Sequence, residues 1–401
     1  MRGSAVPRRG AELHDLNIIS DGSLLIKDGV IIEVGTTRRV ENLAAARTAV
    51  EVSAVGKVVI PGFVDSHTHL MFPPPGIPQQ DLHTATRNVR TGTGQRLQTR
   101  TQSFVAAMAR HGTTTVEAKT GCGLDESAET KLMWVMAALK DDPLHMVPTY
   151  LFRLDPSAGN EENEAFLRWV TDELLPKLNR RRFARFADLA WSEDPQHETI
   201  FLRYLEAARK LGFRSKIHAE KCGTSGAITM AIRQFAVAAD HLEHATQEDA
   251  ALLANTGTIA TLMPCPAFCN DGRHAPARAF IDAGVAVALA TDFNPSYSPT
   301  VSMQTVVALA CLRMQMTPAE ALSAATINAA CALGRAKKVG SLEVGKDADL
   351  VILNGPDYRD LTHNFGVNLV HQTMKRGEFI YKEGEVAPRT SPYHNSLTAV
   401  D

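Results

Sequence analysis

The sequence contains no apolar run approaching the ~20 residues that a membrane-spanning helix needs. Its N-terminus, Met1-Arg2-Gly3-Ser4-Ala5-Val6-Pro7, carries charge with no apolar stretch behind it, so no secretory signal is expected. Cysteine is sparse. Six are scattered over 401 residues, which does not make a disulfide framework and points to reduced thiols in a cytoplasmic protein. Cys265 and Cys269 form the one close pair, and no second Cys/His pair at suitable spacing follows to complete a zinc site. Neither sign of charge dominates, with 42 basic against 44 acidic residues, so the basic surface of a nucleic-acid binder is missing. Arg180-Arg181-Arg182 reads as a solvated helix end or loop. A Gly-rich phosphate loop after a first parallel strand is also missing, which counts against a doubly wound open sheet.

What remains is an ordinary globular composition, 44% apolar and 21% charged. The length suits a large barrel with an accessory unit. The first 60 residues read as short strands and turns. Ser23–Lys27 and Val30–Val34 flank Asp28-Gly29, a hairpin signal, and Lys57–Ile60 is a further strand closed by Pro61-Gly62. Beyond Gly62, short apolar strands alternate with helical stretches: Phe63–His67, Thr113–Glu117, Met146–Tyr150, Ala187–Trp191, Ser215–His218, Ala238–His241, Ile259–Leu262 and Val285–Ala290. Eight strands interleaved with helices is the rhythm of a (β/α)₈ TIM-type barrel, an α/β fold. Near residue 340 the strand-and-turn texture returns, with Leu350–Leu353, Thr373–Arg376 and Phe379–Tyr381. The expected division is 1–60 and 339–387 as the two parts of one small composite β-sandwich, 61–338 as the barrel, and 388–401 as a polar tail.

The chemistry concentrates at strand ends. In Asp65-Ser66-His67-Thr68-His69, residues two apart on a strand face one side. His67 and His69 therefore point together at the C-terminal mouth, where barrel enzymes act, and can share one divalent metal. His218 closes the fifth strand, His241 the sixth and Asp292 the eighth. One such residue has a structural explanation; this many at the mouth of one barrel point to a metal site. Nitrogen and carboxylate donors suit zinc or iron better than magnesium or calcium.

Pro61-Gly62-Phe63-Val64-Asp65-Ser66-His67-Thr68-His69 resembles the opening of the amidohydrolase superfamily. Thr114–Asp125, Ala238–Glu243, Ala275–Arg278, Asp292–Pro295 and Gly366–Asn368 are similar to its imidazolonepropionase branch. The resemblance runs from about residue 58 to 380. It implies a metal-bearing barrel beside a β-sandwich made from both chain ends. One divalent metal, zinc ahead of iron, would be held by His67, His69, His218 and Asp292, with His241 beside it facing substrate. A metal-activated water would attack a cyclic amide, Asp292 would move the proton to the leaving ring nitrogen, and His241 would steady the oxyanion. The partner is a small heterocyclic substrate, and the oligomeric state, a homodimer included, is left open. The rivals are deamination of an N-heterocycle on the same scaffold and, behind it, a non-catalytic ligand-binding barrel.

The sequence departs from that branch around the substrate. The loop after His69, Met71-Phe72-Pro73-Pro74-Pro75-Gly76, lacks the branch's arginine; Cys122 stands at a tyrosine position and Leu154 at a histidine position. Lys221 replaces an acid or amide. No lysine is available at the end of strand four to bridge two metals, and Glu193 there reads as a solvated or substrate-facing carboxylate. The expected substrate contacts are Glu117, Cys122, Arg153, Glu220 and Asn294. For Glu117, a buried ion pair with Lys119 is the competing account. Arg153 could replace the lost carboxylate anchor. Without such an anchor, imidazolone propionate itself is expected to be a poor substrate.

Overall fold

The computed structural model describes residues 5–72, 82–192, 194–219, 226–270 and 272–385. Strands β1 (Gly22–Lys27) and β2 (Val30–Thr36) form the expected antiparallel hairpin. Asp28 and Gly29 both have positive φ, 50° and 78°, which is what a tight Asp-Gly turn between twisted strands requires. Strand β3 (Val58–Pro61) then leads directly into the barrel.

The barrel strands are β4 (Phe63–Asp65), β5 (Thr113–Lys119), β6 (His145–Phe152), β7 (Phe186–Ala190), β8 (Arg214–His218), β9 (Ala238–Asp240), β10 (Ile259–Leu262) and β11 (Val287–Leu289). They pair in parallel and in chain order from β4 to β11. All eight segments expected from the sequence are present. Every residue of β5 is buried, as a parallel strand covered on both faces should be. Among the described residues, no helix is long and apolar enough to cross a membrane.

The seam between the first and last strands is closed differently from the others. Regular pairing of β4 ends at Asp65, two residues short of the expected strand, and β11 is trimmed at both ends. In place of a ladder, the Asp65 carboxylate accepts from the Thr291 backbone N–H (3.0 Å) and hydroxyl (2.6 Å). Beyond it a single bridge joins Thr68 to Phe293, and the His69 N–H donates to the Phe293 carbonyl at 2.7 Å. Asp292 sits inside this seam with φ of 49°, and a left-handed residue breaks the extended run that a ladder needs.

After the barrel the chain returns through β12 (Leu350–Leu353), β13 (Val370–Lys375) and β14 (Glu378–Lys382). Together with β3 they form an antiparallel sheet in the order β14-β13-β12-β3, so the two ends of the chain share one sheet. The β1–β2 hairpin is tied on through Ile31, whose N–H donates to the Lys346 carbonyl and whose carbonyl accepts from Gly345. Ile31, Leu350, Ile352 and Met374 make a small separate core. Neither end alone has enough apolar surface for one, which is why the unit is composite. The expected tail, 388–401, lies outside the described residues.

Candidate metal centre

Five side chains converge at the C-terminal mouth of the barrel. His67 and His69 follow β4, His218 ends β8, His241 follows β9 and Asp292 lies three residues beyond β11. The four imidazoles pack closely. The His218 ring lies 4.4 Å from His241 and 4.9 Å from His67 between centroids, and His67 lies 5.2 Å from His69. All five are buried, His218 the least at 9% exposure. His241 and Leu242 share the left-handed backbone of Asp292, with φ of 80° and 68°. Such conformations cost ~1–3 kcal/mol each and cluster where a site demands them.

The donor geometry fits one ion. His67 Nε2, His69 Nε2 and Asp292 Oδ1 form a nearly equilateral triangle with edges of 3.3, 3.5 and 3.4 Å. A tetrahedral shell with bonds of ~2.0–2.1 Å places its donors ~3.3–3.4 Å apart. A second triad, His67, His218 and His241, overlaps the first through His67. The buried nitrogens His218 Nδ1 and His241 Nε2 have no hydrogen-bond partner among the described residues. Burial, then the neighbouring cations and rings, hold His67 and His218 well below the usual histidine range, so both are neutral, as metal donors must be. His67 Nδ1 meets the Asp240 carboxylate at 2.7 Å. An ionised carboxylate can only accept, so the ring proton sits on Nδ1 and the Nε2 lone pair faces the triangle.

Beneath the centre lies a layer of five fully buried charges. Lys119 donates to Asp188 and to Asp240 (2.8 Å) and pairs with Glu117 at 3.4 Å. Lys216 bonds the Glu117 carboxylate at 2.8 Å, and the Thr149 hydroxyl donates to it at 2.6 Å. Glu117 is thereby corrected from a substrate contact to part of an ion network, since its carboxylate is surrounded by two lysines and a hydroxyl below the mouth. Asp188, Lys216 and Asp240 were missed in the sequence reading. For Lys216 the signal was available: a charged residue two before His218 on an apolar strand must point the same way as the ligand, one layer down.

On the substrate side, Cys122 is 1% exposed, and burial pushes its thiol well above the ordinary range. It lies within electrostatic reach of two guanidiniums, Arg153 and Arg100. Arg153 is half-buried, has no hydrogen-bond acceptor among the described residues, and also feels Asp292. Arg100, which the sequence reading missed, donates to the Met71 carbonyl at 2.9 Å while its buried Nε has no partner among those residues. Desolvation lowers it to about 10. No motif marked Arg100, because it comes from the helix Gly94–Arg110, outside every strand end. Leu154 is buried at 7% exposure. The segment 121–124 is anchored by Glu129, whose carboxylate accepts from the N–H groups of Gly121, Gly123 and Leu124. Asn294 lies 9% exposed, and its Oδ1 accepts from the Ser296 N–H, so it organises the turn after Asp292. Glu220, Lys221, Glu193 and the Pro73-Pro74-Pro75 loop lie outside the described residues.

The profile of the amidohydrolase family matches residues 58–380. The chain is 38% identical over 409 residues to the imidazolonepropionase of Geobacillus kaustophilus, covering 96% of this chain and 95% of that one. It is also 38% identical over 408 residues to the imidazolonepropionase of Brevibacillus brevis, covering 96% of each. Among solved structures, a 5-methylcytosine deaminase from Klebsiella pneumoniae liganded with 5-fluorocytosine superimposes with a TM-score of 0.72 at 16% identity, covering 92% of this chain and 96% of that one. A zinc-bound adenosine deaminase from Xanthomonas campestris gives 0.67 at 20% identity, covering 90% and 88%. At such identities these two speak for the barrel architecture alone. With a shared sheet from both chain ends, a histidine–aspartate cluster at the barrel mouth and a profile spanning most of its length, the chain belongs to the amidohydrolase family, on its imidazolonepropionase-like branch.

Proposed function

We propose that the protein hydrolyses the C–N bond of a cyclic amide, opening an imidazolone-like ring. The observation that carries the reading is the donor triangle of His67, His69 and Asp292, with His218 and His241 beside it. His67, His69, His218 and Asp292 would hold one divalent ion, zinc ahead of iron given nitrogen and carboxylate donors at tetrahedral spacing. When bound, that ion polarises the amide carbonyl and brings the pKa of water toward neutrality. Asp292 takes the proton from the attacking water and returns it to the leaving ring nitrogen. His241, its Nδ1 3.1 Å from the Glu243 carboxylate, is held in one ring orientation, and with both ring nitrogens protonated it donates from Nε2 to the oxygen that gains charge.

Arg153 and Arg100 bear on the substrate. Two guanidiniums within electrostatic reach of Cys122, each with donors unengaged among the described residues, favour a substrate bearing an anionic side group. The proposal therefore reverses the expectation that imidazolone propionate is a poor substrate, since the cation absent from the loop after His69 is supplied from two other elements. The full-length similarity to imidazolonepropionases supports the same reading. Deamination remains the alternative chemistry for this scaffold. Incubation with imidazolone propionate, scoring loss of the ring chromophore and ammonia in parallel, separates them. Ring loss without ammonia is expected. Stoichiometric ammonia from an aminated heterocycle, with no turnover of imidazolones, would overturn the reading.

A further inference from the structure

We infer that Lys119 is a positioning residue for the metal centre, acting through Asp240 on His67. The inference rests on the proposed metal site and extends it one layer down. The contacts form one line. Lys119 Nζ lies 2.8 Å from Asp240 Oδ2, and that same oxygen lies 2.7 Å from His67 Nδ1. Three oxygens surround the ammonium: Asp188 Oδ2 on β7, Asp240 Oδ2 on β9 and Glu117 Oε2 on β5. Lys119, Asp188, Glu117 and Asp240 all have side chains with no solvent exposure, so no water competes for these contacts. The ammonium thus stitches three barrel strands together at the level directly beneath the donors.

This arrangement has a consequence for the imidazole. Asp240 holds two partners on one oxygen, the His67 ring N–H and the Lys119 ammonium. The lysine therefore fixes where the carboxylate sits, the carboxylate fixes the rotation and tautomer of the His67 ring, and the ring nitrogen facing the triangle is fixed in turn. Partners of this kind, one bond removed from a ligand, set ligand orientation. The same oxygens explain why the neighbouring trio His67, Glu117 and Asp240, close enough together to hold a cation, has one already: the Lys119 ammonium lies within 3.4 Å of both carboxylates. Lys216 offers an internal comparison. It is equally buried and belongs to the same network, but its hydrogen bonds go to Glu117 and the Ser66 carbonyl, and it reaches Asp240 only through space.

The test is zinc affinity, measured by competition with a chromophoric chelator on the full chain, for wild type, Asp240→Asn, Lys119→Met, the double variant and Lys216→Met. Thermal unfolding is followed for each. Loss of such an outer partner typically lowers metal affinity ~10–100-fold. We expect that loss in Asp240→Asn and in Lys119→Met. The double variant should fall no further than Asp240→Asn alone, because the lysine acts through the carboxylate, while Lys216→Met should stay within a few-fold of wild type. Additive losses in the double variant, or an equal loss in Lys216→Met, would reduce Lys119 to general support of the barrel. Should Lys119→Met fail to fold, Asp240→Asn decides: wild-type affinity in that variant overturns the inference. A wild type that binds no zinc, or a His67→Ala variant that binds it undiminished, would instead remove the metal site itself.

Discussion

Replacing Asp292 with asparagine separates chemistry from architecture at a single position. Asp292 Oδ1 stands 3.5 Å from His67 Nε2 and 3.4 Å from His69 Nε2. Its backbone sits at φ 49° inside the barrel seam. Asparagine tolerates that region as aspartate does. The seam contacts on either side involve Asp65, Thr291 and the Phe293 backbone rather than the Asp292 side chain. Asp292→Asn should therefore fold with an unchanged unfolding midpoint and retain an amide oxygen toward the donor triangle, yet be unable to carry a proton. General acid–base catalysis contributes ~10²–10⁴-fold, so kcat should fall by that factor, ~2.7–5.4 kcal/mol in the barrier. Asp292→Ala should lose as much activity and also some stability, because a left-handed backbone costs an alanine roughly 1–2 kcal/mol. The assay is steady-state ring opening together with zinc content and thermal unfolding of each variant. An Asp292→Asn enzyme within a few-fold of wild type, at equal metal content, would remove Asp292 from proton transfer.

Three further outcomes are expected. Treatment with a strong chelator should abolish turnover, zinc should restore it, and His69→Ala should purify with well under one metal per chain by elemental analysis; full metal content in that variant would break the donor triangle as the binding site. Arg153→Ala should lower kcat/KM for a carboxylate-bearing imidazolone ~10–150-fold, the equivalent of one charged hydrogen bond of ~1.5–3 kcal/mol, while leaving an uncharged analogue nearly unaffected; equal losses on both substrates would show that the arginine supports the fold rather than the anion. Gly62→Ala would drive a methyl group into the Thr114 side chain where β3 passes into β4, and such overpacking costs ~1–3 kcal/mol; an unchanged midpoint in thermal unfolding would show that this junction relaxes around it.

The sequence alone was enough for the barrel and for the five residues at its mouth, because both are local properties. A short apolar run between helical stretches specifies a covered strand wherever it occurs, and the polar residue that closes such a run must lie at the strand's C-terminal end. His67, His69, His218, His241 and Asp292 were legible on those grounds, and the hairpin around Asp28-Gly29 on its turn chemistry. Which neighbours these residues acquire is not local. That Glu117 faces Lys119 and Lys216 instead of a substrate depends on β5 and β8, separated by 94 residues between Lys119 and Arg214, being brought to one interior layer. Lys119 and Asp240 are 121 positions apart, and only barrel closure brings them within a hydrogen bond. Arg100 reaches the neighbourhood of Cys122 from a helix with no strand-end signal to announce it. The tertiary structure also decided that the first and last strands meet through a carboxylate clasp, because Asp292 turns left-handed there and a regular ladder cannot pass through such a residue. Periodicity dictates which way a side chain points; the chain's closure in space dictates what it meets, and a charge buried in a barrel is defined by what it meets.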